Sequence, residues 1–238
     1  MDPIITFIIP TIGRDTLKRS INCILNQTIE EWKLIIIFDG MKSNITTCNR
    51  IIKDNRIMII ETEKKLGKDI NSAGNVRNYG MNFVNTKWIA FLDDDDSISD
   101  DYIEVFYNEY HKYKMDLYIY RMKLDNRIIP NINSDNFYLC DVGISFIMKS
   151  KIFKNGIQFI PDGTEDYIFL NNVRNHNYKI VISKYVKYFV KTDIIFNPYK
   201  IYGMNIFINY NNDSFITLLG YMMIQLHQLN LTYFYKNS

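Results

Sequence analysis

Trp88-Ile89-Ala90-Phe91-Leu92-Asp93-Asp94-Asp95-Asp96 joins five apolar residues that favour burial to four carboxylates that favour water or a cation. The apolar part is too short for a buried helix and reads as a strand covered on both faces. Four adjacent carboxylates with no intervening cation repel one another, so the folded chain needs solvent or a bound cation at that strand's end. A hard divalent ion, Mg²⁺ or Mn²⁺, takes oxygen ligands and leaves positions for phosphates. In an extended segment alternate side chains share a face, so Asp93 and Asp95 are placed to converge on one metal-diphosphate complex while Asp94 points away and is the most dispensable. Two rival readings exist. The run could be a solvated acidic turn, with Asp96 or Ser97 capping a following helix, but its position directly on so apolar a strand argues against that. Asp93, Asp95, Ser97, Ser99, Asp101 and Glu104 also fit an EF-hand frame, yet Ile98 stands where the sharp turn requires glycine and the preceding segment is strand-like.

Outward from this stretch, residues 4–9, 33–38 and 56–60 are further β-branched runs, and Leu17, Ile21, Ile24 and Leu25 recur at helical spacing. Residues 76–84 read as a second helix. Strands alternating with helices predict an α/β fold with a mainly parallel central sheet flanked by helices. Ligands in such sheets bind beyond the carboxyl ends of the strands, which places residues 11–14, Asp39 and residues 93–96 around one crevice. In the second half, Ser99 and the acidic pair Asp100-Asp101 open a helix striped by Ile103, Phe106, Tyr107 and Tyr110. Residues 117–120 and 144–148 read as strands, Thr164-Glu165-Asp166 starts a helix towards Arg174, and residues 178–190 supply one or two more strands, making a second, smaller sheet. Phe215, Leu218, Leu219, Met222, Met223 and Leu226 have helical spacing, so residues 201–238 are expected to form a short helical extension packed on a domain spanning 1–200.

Composition narrows the function. The 238 residues are 47% hydrophobic, ample for a core, and 28 Lys and Arg against 26 Asp and Glu leave a net charge of +2, too little to wrap nucleic acid. Cys23, Cys48 and Cys140 form no CxxC pair and suggest a reducing compartment. The N-terminal run lacks a basic flank and breaks at Pro10, so a buried strand is expected there and no signal peptide. Residues 215–231 are too often interrupted by polar groups to span a bilayer. The expected location is the cytoplasm, the host's if the AT-rich residue usage reflects a virus, with peripheral membrane contact at most.

Phe7-Ile8-Ile9-Pro10-Thr11, Ser20-Ile21 through Asn26-Gln27-Thr28, Trp32 to Asp39-Gly40, Gly74-Asn75-Val76-Arg77-Asn78-Tyr79-Gly80, Phe91 to Asp96 and Glu165-Asp166 follow one another in the order of glycosyltransferase family 2, which the chain resembles from about residue 4 to 190. The resemblance implies the GT-A fold, a nucleotide-sugar half (1–96) joined to an acceptor half (97–200). It implies an inverting, metal-dependent transferase that moves a sugar from a nucleotide-sugar, a UDP-sugar, to the hydroxyl of a glycan, lipid-linked or protein acceptor. The family's DxD motif falls on Asp93 and Asp95, with Asp95 the metal ligand and Asp93 a ribose or second metal contact, Mn²⁺ or Mg²⁺ being the cofactor. Pro10, Thr11, Arg14, Asp39, Arg77, Asn78, Asp93 and Asp94 are implied at the nucleotide-sugar. Asp166 is implied as general base, with Glu165 and Asp96 in supporting places. Two departures stand out: a single aspartate precedes Gly40 where many relatives have two, and residues 185–193 lack the histidine that many relatives place on the metal, leaving Lys191, Asp193 or water for that neighbourhood. His176 reads as a surface residue. A nucleotidyltransferase-type phosphoryl-transfer enzyme, or a nucleotide-sugar-binding protein without turnover, are the alternatives; no Gly-rich phosphate loop supports the former.

Overall fold

The computed structural model describes residues 5–43, 53–67 and 72–191, all within the unit Met1–Thr192. The helix expected over 201–238, Asp193 and Cys48 lie outside the described residues. In chain order the elements are β1 (Ile5–Thr11), α1 (Leu17–Leu25), β2 (Trp32–Phe38), β3 (Ile57–Glu61), α2 (Gly74–Met81), β4 (Trp88–Phe91), β5 (Ser97–Ile98), α3 (Tyr102–Lys112), β6 (Leu117–Leu124), β7 (Arg127–Ile129), β8 (Phe146–Lys149), α4 (Ser150–Lys154), α5 (Glu165–Asn175) and β9 (Ile180–Phe189).

The first four of these strands lie side by side in the order β3-β2-β1-β4, all parallel. Every residue of β1 and β4 is buried, which is why their sequences read as unbroken apolar runs with no alternation. Beyond β4 the sheet changes character. β4 pairs antiparallel with β8 and β8 antiparallel with β6, while β6 runs parallel to β9 and β5 antiparallel to it. β7 folds back on β6 as a hairpin. Residues 178–190 thus give one strand, with its register against β6 shifting around Arg121.

Aromatic side chains weld the parallel part to the mixed part. Trp88 is fully buried and meets Phe106 and Tyr110 edge-on at 4.9 and 5.4 Å between ring centroids. Phe91 and Phe146 sit 5.4 Å apart across the β4–β8 pair, and Phe159 stacks on Phe169 of α5 at 4.3 Å. Such pairs add about 0.5–1.5 kcal/mol each beyond the burial of their area. β1, β2 and β4 consequently end at one rim, where the chain leaves the sheet in polar loops. No helix among the described residues is long and apolar enough to cross a membrane.

Candidate functional site

The rim encloses a cleft of about 260 Å³, lined by Pro10 and Thr11 of β1, Arg14 after it, Asp39 after β2, Lys65, Arg77 of α2, and Asp93, Asp94 and Asp95 after β4. The four aspartates diverge. Asp93 faces the cleft, one-third exposed, and its Oδ1 accepts from Arg77 Nη2 at 2.6 Å. Asp95 also faces it, 31% exposed, with Arg14 Nη1 at 3.3 Å from Oδ2; burial and the neighbouring Asp93 raise its pKa against the opposing pull of Arg14. Asp96 turns inward, where its carboxylate accepts from the Tyr188 hydroxyl at 2.8 Å and the Lys191 amide at 2.9 Å, and burial raises its pKa.

Asp94 points at the loop after β1. It is the most buried of the four, accepting from the Thr11 hydroxyl at 2.6 Å and from Arg14 Nη1 at 2.5 Å. Turning away from the Asp93 side aims it at the loop after β1, so it ties the two walls of the cleft together.

Arg77 is the hub of the opposite wall. Its guanidinium is buried, with Nη1 2.6 Å from Glu165 Oε1 and 3.7 Å from Asp166 Oδ1 while Nη2 holds Asp93. Burial alone would lower its pKa; the carboxylates of Asp93, Asp166 and Glu165 outweigh that and hold it above the ordinary value. Glu165 is fully engaged: besides Arg77 it accepts from the Ser72 hydroxyl and from the Ala73 and Gly74 amides at 2.9–3.0 Å. Those two amides open α2, so Glu165 is a remote anionic cap for a helix start 91 residues earlier in the chain. Asp166 has the opposite character. Its side chain is a quarter exposed, while its Oδ1 is buried without a hydrogen-bond partner. Burial pushes its pKa up to about 7 against the lowering effect of Arg77, with Asp93 and Glu165 adding to the rise.

Two expected nucleotide contacts behave differently. Asp39 lines the cleft, but its carboxylate accepts from the Leu66 amide at 2.6 Å and the Gly67 amide at 3.0 Å, so it fixes the loop carrying Lys65. Asn78 does not line the cleft: its amide donates to the Phe159 carbonyl at 2.8 Å and accepts from the Phe159 N–H at 2.9 Å, pinning α2 to the segment before α5. His176 is an exposed residue at the end of α5, bonded to the Asn172 carbonyl.

Other participants had no role assigned from sequence. Tyr188 of β9 accepts from the Asp93 amide and donates to Asp96, which shapes the bend after β4. Gln27 donates to the Ser99 carbonyl and accepts from the Ile103 amide, while the Ser20 hydroxyl donates to the Asp96 carbonyl. The block Ser20 to Gln27 thereby sets the path of the chain leaving the aspartates. Lys65 gave no signal beyond lying in a polar loop.

A parallel sheet carrying a carboxylate-lined cleft at its strand ends, extended by a mixed sheet, is the GT-A class of fold. Residues 1–349 of TarS from Staphylococcus aureus in complex with UDP superpose with a TM-score of 0.65 at 15% identity over 79% of this chain and 60% of that one. The mannosyltransferase PcManGT from Pyrobaculum calidifontis, in complex with GDP-Man and Mn²⁺, gives 0.60 at 12% identity over 77% of this chain and 55% of that one. The chain belongs to glycosyltransferase family 2: the model described as "Glycosyl transferase family 2" matches residues 6–164. In sequence it is 30% identical over 206 residues to the poly(ribitol-phosphate) beta-N-acetylglucosaminyltransferase TarP of Staphylococcus aureus, covering 76% of this chain and 62% of that protein. The chain thus spans less than two thirds of the length of these relatives.

Proposed function

We propose that this chain is an inverting glycosyltransferase that moves a sugar from a UDP-sugar to an acceptor hydroxyl. Residues 1–96 hold the donor, residues 97–200 hold the acceptor, a glycan, lipid-linked or protein hydroxyl, and Asp166 is the general base. The observation that carries this is Asp166 itself: a carboxylate beside Arg77 of the cleft wall, a quarter exposed, with no hydrogen bond to Oδ1 and a pKa of about 7. General bases work best with a pKa near the working pH. Glu165 beside it has its acceptor capacity taken by four donors and is unsuited to the task.

In the reaction Asp166 takes the proton of the acceptor hydroxyl as that oxygen bonds to the anomeric carbon from the face opposite the diphosphate. The bond from that carbon to the diphosphate oxygen breaks, which inverts the configuration. Asp93 and Asp95 suit a hard divalent ion, because both are carboxylates that reach the cleft one-third exposed. Among the described residues no three His, Cys, Asp or Glu side chains form a preformed metal cage. Mn²⁺ or Mg²⁺ held by Asp95 and Asp93 would neutralise charge on the departing diphosphate. Both Thr11 and Asp94 fix the loop of Arg14 beside that position, and Asp39 fixes the Lys65 loop where the base would lie.

Names among the relatives support the donor and metal: TarS was captured with UDP, and the mannosyltransferase with GDP-Man and Mn²⁺. The decisive experiment compares wild type with Asp166→Asn. A panel of UDP-, GDP- and dTDP-sugars with Mn²⁺ identifies the donor, and calorimetry measures UDP binding. Loss of transfer with UDP binding nearly intact is expected; retained turnover in Asp166→Asn overturns the assignment, and absence of metal-dependent UDP binding in wild type overturns the donor.

A further inference from the structure

Asp93 and Asp95, the two aspartates proposed to hold the ion, each lie beside an arginine that is shared with a second carboxylate. Arg77 pairs with Asp93, and a single nitrogen of Arg14, Nη1, lies 2.5 Å from Asp94 Oδ1 and 3.3 Å from Asp95 Oδ2. The two arginines are not equivalent. Arg77 is 5% exposed and fixed from behind by Glu165. Arg14 is 36% exposed and sits on the loop after β1, just past Gly13, whose φ of 79° lies in the left-handed region where glycine is favoured.

The carboxylates that Arg14 bridges differ as well. Asp94 has a second donor, the Thr11 hydroxyl at 2.6 Å from Oδ2, so it does not depend on Arg14 alone. Asp95 is the more exposed and the more weakly paired, and it is the proposed metal ligand. A divalent ion arriving at Asp95 therefore competes with Arg14 for the same charge. An arginine fork matches phosphate oxygens in two-pronged geometry, so a nucleoside diphosphate entering with the ion offers Arg14 a replacement partner in the same cleft.

We propose that Arg14 is the resident counter-ion of the empty donor site: it yields Asp95 to the incoming divalent ion and transfers its guanidinium to the diphosphate. Ion and nucleotide then each bind more tightly in the other's presence, as linkage requires. The ion alone binds weakly because it must displace Arg14 with nothing to receive it. This rests on the metal-dependent reading given above and adds an order of exchange to it.

The test needs no turnover. Binding of Mn²⁺ to the full chain is read from loss of the free-ion paramagnetic resonance signal, with and without UDP, for wild type, Arg14→Gln and Arg14→Lys; thermal melts confirm folding. In wild type UDP should tighten Mn²⁺ binding by roughly tenfold, within the usual range of site-to-site coupling. Arg14→Gln should bind Mn²⁺ alone about fivefold or more tightly than wild type, with most of the UDP effect gone. Arg14→Lys keeps the charge and loses the fork, so Mn²⁺ alone should still bind weakly while the UDP effect shrinks. Unchanged Mn²⁺ affinity in folded Arg14→Gln overturns the proposal, as does an undiminished UDP effect in either variant; should Arg14→Gln fail to fold, Arg14→Lys decides. Wild type that takes up no Mn²⁺ even with UDP removes the metal reading itself, an outcome distinct from these.

Discussion

Asp94 and Asp95 are neighbours in sequence but stand in different surroundings, one nearly sealed from solvent between Thr11 and Arg14 and the other one-third open to the cleft. Replacing each by asparagine removes a charge of the same size with different consequences. Asp94→Asn leaves the Thr11 hydroxyl or the Arg14 guanidinium facing an amide NH₂ in a buried setting, at about 2 kcal/mol. For a chain of this size that lowers Tm by roughly 4–8 °C. Asp95→Asn should leave Tm near the wild-type value while weakening Mn²⁺-dependent UDP binding, because its carboxylate is one-third open to the cleft and has Arg14 only at 3.3 Å. Melting curves alongside calorimetry separate the two. A larger Tm loss in Asp95→Asn than in Asp94→Asn would refute the division of roles.

At the scale of elements, α2 shows how a helix can be specified from outside its own sequence. Gly74-Asn75-Val76-Arg77 offers no local cap, and the sequence pattern alone places the start of the helix at Val76. It begins at Gly74 because the Glu165 carboxylate accepts the Ala73 and Gly74 amides from another part of the chain. A Cβ at Gly74 would stand 2.6 Å from Glu165 Oε2 and 2.9 Å from Phe159 Cβ. Glycine to alanine in a helix ordinarily gains about 1 kcal/mol, whereas overpacking costs about 1–3 kcal/mol. The second effect should win: Gly74→Ala is expected to lower Tm and to depress transfer by displacing Arg77 and Asp166, and a Tm above wild type would show the contact to be soft. Legibility follows the same logic. β1, β2 and β4 were readable because burial on both faces leaves unbroken apolar runs, and Asp93, Asp95, Arg77 and Asp166 because their blocks fall in order along the chain. The strands β5 and β7 and the helix α4, of two, three and five residues, are too short to show a period. The lid-like burial of Asp94, the Tyr188 bridge and the Asn78–Phe159 pairing depend on partners some eighty or more residues away, which local pattern does not encode.

For the whole molecule, the proposed base sets function against stability. Asp166 carries a pKa of about 7 in the folded protein, raised chiefly by burial, against about 3.9 for an unfolded aspartate. Below about pH 4 the group is protonated in both states and contributes nothing. Between about pH 4 and 7 the unfolded chain has lost the proton while the folded one retains it, so stability falls as pH rises, and the penalty is complete above about 7. Asparagine cannot ionise and escapes that penalty. Asp166→Asn is therefore expected to melt at or above the wild-type temperature at pH 8, to show no such advantage at pH 4, and to lack transfer activity at either pH. In wild type, kcat/KM should fall as pH drops through about 7, because the base must be ionised to accept the acceptor's proton. Melting curves of both proteins from pH 4 to 8 with the wild-type pH–rate profile test the two statements together. A wild-type advantage in Tm at pH 8, or activity undiminished at pH 5, would mean that the Asp166 carboxylate is stabilised by surroundings other than the buried, Arg77-facing position it occupies.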